Sequence, residues 1–285
     1  MKVGFIGLGA MGRHMAARLE AAGHSLQSFD LNGKGNRKSA REAAQDAEVL
    51  FTSLPGPAEV EAVSAEVGPV LAWFDTSTNS PECVRKICKS SPYFLDAPVS
   101  GGPKGAESGK LAIWVGGDQA LFSKYLSVLK VLGDQPYYVG PIGAGTVAKL
   151  AHNMASFTIQ AALAEVMTLG VKAGVEPLAL FKAIRQGASG RKRTFDRLPE
   201  HFLPGQYDPP AFTVDLALKD VSLAMDLGKN CGVPMKIGQA ALDELAAAKA
   251  RGWGGRDCRV AMTLQEERAG VSVRVAPERL QGALD

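Results

Sequence analysis

The stretch Val3-Gly4-Phe5-Ile6-Gly7-Leu8-Gly9-Ala10-Met11-Gly12 decides the fold of the N-terminal half of the chain. It begins with an apolar run that stops at a glycine, which is typical of a strand buried on both faces. A segment of helical periodicity follows, from Met11 to Ala22, and stops at Gly23. The pattern G-x-G-x-x-G alone is weak support for a dinucleotide-binding loop, because a chain with 32 glycines can match it by chance. A strand before it and a helix after it are the context that a dinucleotide-binding loop requires.

Each glycine of this loop has a separate physical task. The first permits the tight turn, the second lets the backbone approach a pyrophosphate, and the third lets the helix pack on the strand. The N-terminus of the helix then offers N–H groups and a partial positive charge to the phosphates. The predicted cofactor-binding residues here are Gly7, Leu8, Gly9, Ala10, Met11 and Gly12.

An acidic residue ends the next predicted strand, Ser25 to Phe29. Asp30 can accept hydrogen bonds from the adenosine ribose and would repel a 2′-phosphate, which favours NAD over NADP. Lys34, Arg37 and Lys38 lie just beyond it and could partly offset the repulsion, so NADP stays possible. The alternative is a solvated aspartate in a surface turn.

Further apolar runs alternate with segments of helical character. The predicted strands are Val49 to Ser53, Val70 to Phe74, Phe94-Leu95, Leu111 to Val115 and Tyr137 to Val139, with a short helix from Arg41 to Ala47. This alternation predicts βαβ units and a mostly parallel sheet, and therefore an α/β domain of the Rossmann type.

The pattern changes near residues 140–145, where a long helix is predicted from Thr146 to Ala173. Beyond it the pattern is mainly helical, which predicts an all-α C-terminal domain. We therefore expect a dinucleotide-binding domain at residues 1–146 and a helical substrate and dimerisation domain at residues 147–285. Little structure is expected after Val271.

Composition excludes several classes of protein. The formal net charge is +3, without the concentrated basic excess of a nucleic-acid-binding protein. The four cysteines lack CxxC spacing, so we predict no metal site and no disulfide framework. No signal peptide or membrane-spanning stretch is recognisable, and we expect a cytoplasmic protein that does not bind membranes.

Three further stretches are more specific than the glycine loop. They are Asp96-Ala97-Pro98-Val99-Ser100-Gly101-Gly102-Pro103-Lys104-Gly105-Ala106, Gly143-Ala144-Gly145-Thr146-Val147-Ala148-Lys149-Leu150-Ala151-His152-Asn153 and Lys219-Asp220-Val221-Ser222-Leu223-Ala224. In order and spacing, these and the glycine loop resemble the motifs of the β-hydroxyacid dehydrogenase family. The resemblance covers nearly the whole chain and implies hydride transfer between NAD(H) and a small 3-hydroxy acid or its semialdehyde.

The resemblance assigns the catalytic proton transfer to Lys149. Oxidation of an alcohol needs a base for the hydroxyl proton, and the reverse reaction needs an acid. Asn153 lies one helical turn further on and is implied to hold the substrate hydroxyl and the lysine. Ser100, Gly101 and Gly102 resemble the loop that binds the substrate carboxylate. The alternatives are a surface lysine, an asparagine satisfied inside the protein and an ordinary glycine-rich turn.

Other matches concern the cofactor and assembly. Lys219 is implied to contact the cofactor, Asp220 to orient its neighbours, and Leu54, Pro55, Ser77 and Thr78 to line the cofactor site. A salt bridge within a helix is the alternative for the Lys219-Asp220 pair. The resemblance also implies a homodimer or homotetramer.

The chain departs from the family pattern in places. The stretches from Asp30 to Val49 and from Pro55 to Asp75 are short, so a helix or strand at the sheet edge could be trimmed or lost. His152 stands where many members have asparagine, and we assign it no catalytic role. The basic cluster Arg191 to Arg193 could favour a substrate with a second anionic group, against the alternative of a solvated loop.

Two other functions compete with this prediction. One is an enzyme of the same architecture that reduces imines or acts on sugar acids, although imine reductases generally lack the lysine present here as Lys149. The other is a non-catalytic dinucleotide-binding sensor or scaffold, since a fold alone does not establish catalysis.

Overall fold

The computed structural model describes residues 1–172, 174–187, 195–230 and 235–281. The chain divides into two compact units, Met1–Ala151 and His152–Asp285. Each unit has its own buried apolar core.

The first unit is built on one twisted sheet. Its strands are β1 (Lys2–Ile6), β2 (Ser25–Phe29), β3 (Val49–Thr52), β4 (Trp73–Asp75), β5 (Phe94–Asp96), β6 (Val99–Ser100), β7 (Ala112–Gly116) and β8 (Gln135–Gly140). They lie in the order β2-β1-β3-β4-β5-β7-β6, with β8 paired to β7. The pairs from β2 to β5 and the pair β7–β8 are parallel, whereas β7 is antiparallel to β5 and β6. The predicted α/β domain with a mostly parallel sheet is confirmed.

Helices follow the strands along the chain. They are α1 (Gly12–Ala21), α2 (Ala40–Ala44), α3 (Pro57–Glu66), α4 (Pro81–Ser90), α5 (Gly102–Ser108) and α6 (Gln119–Leu132). The central strands are buried on both faces: every residue of β3 is buried, and Phe51 and Phe74 stack with their ring centroids 5.6 Å apart. Burial on both faces explains why these strands are continuous apolar runs in the sequence.

The structure differs from the prediction at the strand expected from Val70 to Phe74. Strand β4 begins only at Trp73, after Gly68 and Pro69, neither of which favours a sheet interior. The short stretch after Asp30 keeps a single short helix, α2. There Asn36 lies along the open edge of β2, accepting a hydrogen bond from Ser28 N (2.8 Å) and donating one to Leu26 O (3.0 Å). The Asn36 side chain thus satisfies backbone N–H and C=O groups of β2 that would otherwise pair with a further strand.

The second unit is helical, as predicted. A long helix, α7 (Ala144–Lys172), leads into it and is followed by α8 (Pro177–Gln186), α9 (Val214–Asn230), α10 (Lys236–Ala250), α11 (Thr263–Ala269) and α12 (Pro277–Leu280), with 3-10 turns at Phe195–Glu200 and Cys258–Met262. None of the helices in the described ranges is long and apolar enough to cross a bilayer. The basic cluster at residues 191–193 lies outside the described residues.

The expectation of little structure after Val271 is wrong. Val273 and Val275 are buried in the core of the second unit, and Val275 N donates to Leu203 O (2.8 Å). Buried Glu266 holds this segment: Arg274 donates to both of its carboxylate oxygens, at 2.7 and 2.8 Å, and Val273 N donates to one of them. Burial raises the pKa of the Glu266 carboxyl. Periodicity could not reveal this segment, because an ion pair and isolated valines hold it rather than a helix or strand.

Removing this carboxylate should destabilise the second unit strongly. In Glu266→Ala, the Arg274 guanidinium and Val273 N would lose their acceptor. Because the Arg274 side chain is 33% exposed and water can reach it, we expect a cost of about 1–3 kcal/mol. The control is Glu267→Ala, the next residue, whose pair with Arg251 is solvent-exposed and should contribute little. Urea unfolding followed by circular dichroism measures both. Equal midpoints for the two variants would contradict the role of Glu266.

Candidate active site

The predicted cofactor residues converge at one edge of the sheet. Strands β2, β1, β3 and β4 are adjacent and parallel, so their carboxyl ends lie side by side. Asp30, the glycine loop, Leu54 and Ser77 follow these four ends. Ligands of open α/β sheets bind outside the carboxyl ends of the strands, and this edge is therefore the candidate cofactor site.

The glycine loop has the shape that a pyrophosphate needs. A Cβ on Gly12 would lie 1.9 Å from Gly7 O, and one on Gly7 would lie 2.3 Å from Ser53 O, so both positions require glycine. A Cβ on Gly9 would meet nothing within 4 Å. The backbone at Gly9 thus faces open space, and helix α1 begins beyond it without an acidic residue in its first turn. The loop fits a dinucleotide.

Asp30 is tied to the same loop. Leu8 N donates to Asp30 Oδ2 (2.7 Å) and Asn32 N donates to Asp30 Oδ1 (2.8 Å). Burial alone would raise the pKa of this carboxyl, but the two backbone N–H groups hold it below its usual value. Asp30 is therefore an ionised acceptor beside the loop, as a ribose-binding residue must be.

The turns after β3 and β4 are bound to each other. Leu54 N donates to Ser77 Oγ (2.9 Å), and Ser77 itself is buried. Pro55 is exposed and Thr78 partly exposed. The Ser77 hydroxyl therefore supports the Leu54 turn, whereas Pro55 and Thr78 offer surface to a ligand.

Buried Asp75 organises both turns, although it is not among the site residues predicted from the sequence. It accepts hydrogen bonds from Thr52 Oγ1 (2.8 Å), Ser77 N (3.2 Å) and Asn79 Nδ2 (3.0 Å). Burial raises its pKa, and the donors from Ser77, Asn79 and Thr52 oppose that change. Its position as a lone acid at the end of an apolar run was the signal that could have identified it.

The Ser100 loop and the start of α7 lie further along the sheet. Ser100 is partly exposed and ends β6, and Gly101 and Gly102 have φ angles of 139° and 64°, which favour glycine. Lys149, in the second turn of α7, is partly exposed and has interacting neighbours. Asp96 precedes the Ser100 loop in the chain. Its carboxylate accepts hydrogen bonds from Gly143 N (2.7 Å) and Thr146 N (2.6 Å) at the start of α7.

A polar cluster in the second unit joins the remaining predicted residues. Asn153 Nδ2 donates to Asp220 Oδ2, and Lys219 Nζ lies 2.9 Å from Asp220 Oδ1. Asn153 and Asp220 are 7% and 2% exposed, so this cluster is buried apart from Lys219. Asp220 thus orients both neighbours. Asn153 is also part of α7, one helical turn after Lys149.

The fold and the glycine loop define a dinucleotide-binding protein, and comparison with known proteins identifies its family. The family model for the NAD binding domain of 6-phosphogluconate dehydrogenase matches residues 2–140. The model described as NAD-binding of NADP-dependent 3-hydroxyisobutyrate dehydrogenase matches residues 143–264.

Whole-chain relatives agree with these models. The chain is 35% identical to 2-(hydroxymethyl)glutarate dehydrogenase of Eubacterium barkeri, over 96% of this chain and 97% of the relative. It is 31% identical to the NAD-dependent L-serine dehydrogenase of Pseudomonas aeruginosa, over 92% and 97%. A solved structure of Mycobacterium tuberculosis 3-hydroxyisobutyrate dehydrogenase with L-serine superposes with a TM-score of 0.81 at 30% identity, over 92% of this chain and 98% of that chain.

This chain belongs to the β-hydroxyacid dehydrogenase family. It is an oxidoreductase that acts on CH–OH groups with a nicotinamide dinucleotide. The resemblance inferred from the four sequence motifs is confirmed.

Proposed function

We propose that this protein interconverts a small 3-hydroxy acid and its semialdehyde with NAD(H), using Lys149 as general acid and base. The main support is that Lys149 and Asn153 lie one turn apart on α7. The chain is also similar over nearly its full length to dehydrogenases of 3-hydroxy acids. The bound nicotinamide would accept or donate the hydride.

The residues of this chain divide the remaining tasks. Ser100 and the backbone N–H groups of Gly101 and Gly102 hold the substrate carboxylate, since glycines let a carboxylate approach the backbone. Lys149 takes the hydroxyl proton in oxidation and returns it in reduction. Asn153, held by Asp220, orients the hydroxyl. Lys219, ion-paired with Asp220, contributes a positive charge that contacts the cofactor.

The substrate is proposed from the relatives. Those named above include dehydrogenases of 2-(hydroxymethyl)glutarate and L-serine, and a solved neighbour is a 3-hydroxyisobutyrate dehydrogenase. All three compounds carry a primary alcohol two carbons from a carboxylate. We propose that this shared unit is recognised here, in a cytoplasmic homodimer or homotetramer.

Initial rates at the NADH absorbance band test the function. Purified protein is supplied with each of the three hydroxy acids and with NAD or NADP, and simple alcohols without a carboxylate are the control. Turnover of at least one acid, and none of the alcohols, supports the proposal. Binding of NADH without turnover of any acid would favour the sensor alternative.

Cofactor preference should depend on Asp30. Asp30→Ser removes the charge that accepts the ribose hydroxyls, and a hydrogen bond to a charged group contributes about 1.5–3 kcal/mol. We expect NADH to bind about tenfold more weakly and NADPH to gain relative to it. Asp134→Ser, at an exposed aspartate before β8, is the control. Fluorescence titration measures both dissociation constants, and an unchanged ratio would contradict the assignment.

A further inference from the structure

The N-terminus of α7 lacks a capping side chain of its own. Gly143 occupies the residue before the helix, with a φ angle of 92°, and glycine has no side chain to accept a hydrogen bond from the first turn. Such N–H groups need an acceptor when buried. Here Asp96 supplies it from another element: its Oδ1 accepts from Gly143 N at 2.7 Å and its Oδ2 from Thr146 N at 2.6 Å.

The helix start is also pressed directly against the sheet. A Cβ on Gly145 would lie 2.3 Å from Trp114 O, and one on Gly116 would lie 2.5 Å from Asp96 Oδ1. Asp96 and Gly116 are a register pair of β5 and β7. Two glycines therefore let the first turn of α7 approach these strands at backbone distance, and the Asp96 carboxylate, 1% exposed, fills the contact.

Asp96 is linked to two pieces of the proposed catalytic site in the first unit, the Ser100 loop and the start of α7 that carries Lys149. In the chain it directly precedes the segment Ala97 to Val99, which leads to Ser100. Ala97 N donates to Asp75 O at 2.7 Å and Trp114 N to Pro98 O at 3.1 Å, so this segment is held in place. Through its side chain, Asp96 holds the turn of α7 that precedes Lys149.

We infer that Asp96 is a positioning residue that aligns Lys149 with the Ser100 loop by capping α7 from the end of β5. The inference rests on the proposed function of these two pieces. A carboxylate suits the task because its two oxygens accept from two N–H groups, and its charge is favourable at a helix N-terminus. An asparagine has one acceptor oxygen, so one of the two N–H groups would face an NH₂ group instead.

The test compares Asp96→Asn with Asp118→Asn. Asp118 is the matched control, because it caps the N-terminus of α6 through Leu121 N at 2.8 Å but is exposed. We expect kcat with 3-hydroxyisobutyrate to fall about 10²-fold in Asp96→Asn, as a displacement of about 1 Å at a catalytic group can cause. The dissociation constant of NADH should change less than twofold, because the glycine loop follows a different strand.

Further measurements separate misalignment from loss of folded protein. With substrate deuterated at C3, the primary isotope effect on kcat should rise in Asp96→Asn, whereas partial unfolding would leave it unchanged. Amide exchange at Gly143 and Thr146 should accelerate in this variant and not in Asp118→Asn. Asp96→Ser, whose smaller side chain crowds Gly116 less, provides the same measurements if the asparagine variant does not fold.

The outcomes distinguish this inference from the proposed function. If the wild type and Asp118→Asn turn over substrate and Asp96→Asn matches them in rate, isotope effect and exchange, only the positioning role is wrong. If the wild type turns over no hydroxy acid, the proposed function fails and this inference fails with it.

Discussion

Replacing Lys149 by alanine is expected to lower kcat by at least about 10²-fold, the lower end of the contribution of a general acid or base. The substrate hydroxyl would lose its proton acceptor in oxidation, and the nascent alkoxide would lose its proton donor in reduction. NADH binding should persist, since none of the residues of the glycine loop is changed. Lys149→Arg should be similarly impaired, because a guanidinium does not give up its proton.

The control is Lys130→Ala, at an exposed lysine on α6 in the same unit. Its rate should equal that of the wild type. Added primary amines of small size should restore part of the activity of Lys149→Ala, because they can occupy the vacated space and transfer the proton. Full activity in Lys149→Ala would show that another group transfers the proton.

The glycine loop provides the second large expected effect, and the structure separates two of its positions. In Gly9→Ala the new methyl group would meet no protein atom, so the melting temperature of the cofactor-free protein should stay unchanged. The methyl group would nevertheless enter the space assigned to the pyrophosphate. We expect NADH to bind at least about tenfold more weakly, equivalent to about 1.4 kcal/mol.

Gly12→Ala should behave differently. Its methyl group would lie 1.9 Å from Gly7 O, so α1 must move away from β1. We expect a lower melting temperature together with the loss of NADH binding, since overpacking typically costs about 1–3 kcal/mol. Scanning calorimetry and fluorescence titration of both variants check this. Tight NADH binding by Gly9→Ala would show that the glycine loop does not bind the cofactor.

How far the sequence could predict the fold depends on the range of the interactions involved. Strand β1, the glycine loop and α1 were predictable because apolar periodicity and glycine spacing are local properties. The order of the strands and the antiparallel direction of β7 were not predictable in this way, because they depend on pairing between segments that are distant in the chain. The C-terminal segment was missed because the ion pair of Glu266 and Arg274, rather than a periodic pattern, holds Val273 in the core.

The candidate site shows the same limit. Lys149 and Asn153 were recognisable from a motif, and their spacing places them on one face of a helix. Asp75 and Asp96 could not be given roles from sequence, because their partners lie on other elements: Thr52 precedes Asp75 by a helix and a loop, and Gly143 follows Asp96 after several elements. A polar residue at the end of a buried strand was the available signal, and it indicates a tertiary hydrogen bond without naming the partner.

The central claim is direct hydride transfer between a 3-hydroxy acid and the nicotinamide, and isotope transfer tests it most directly. The protein is incubated with NAD and 3-hydroxyisobutyrate deuterated at C3, with Lys149→Ala beside the wild type, and the reduced dinucleotide is analysed by mass spectrometry. We expect one deuterium per reduced dinucleotide from the wild type, and the same product at a rate at least about 10²-fold lower from the variant. Reduced dinucleotide without deuterium, or none from any 3-hydroxy acid tried in the same way, would contradict the account.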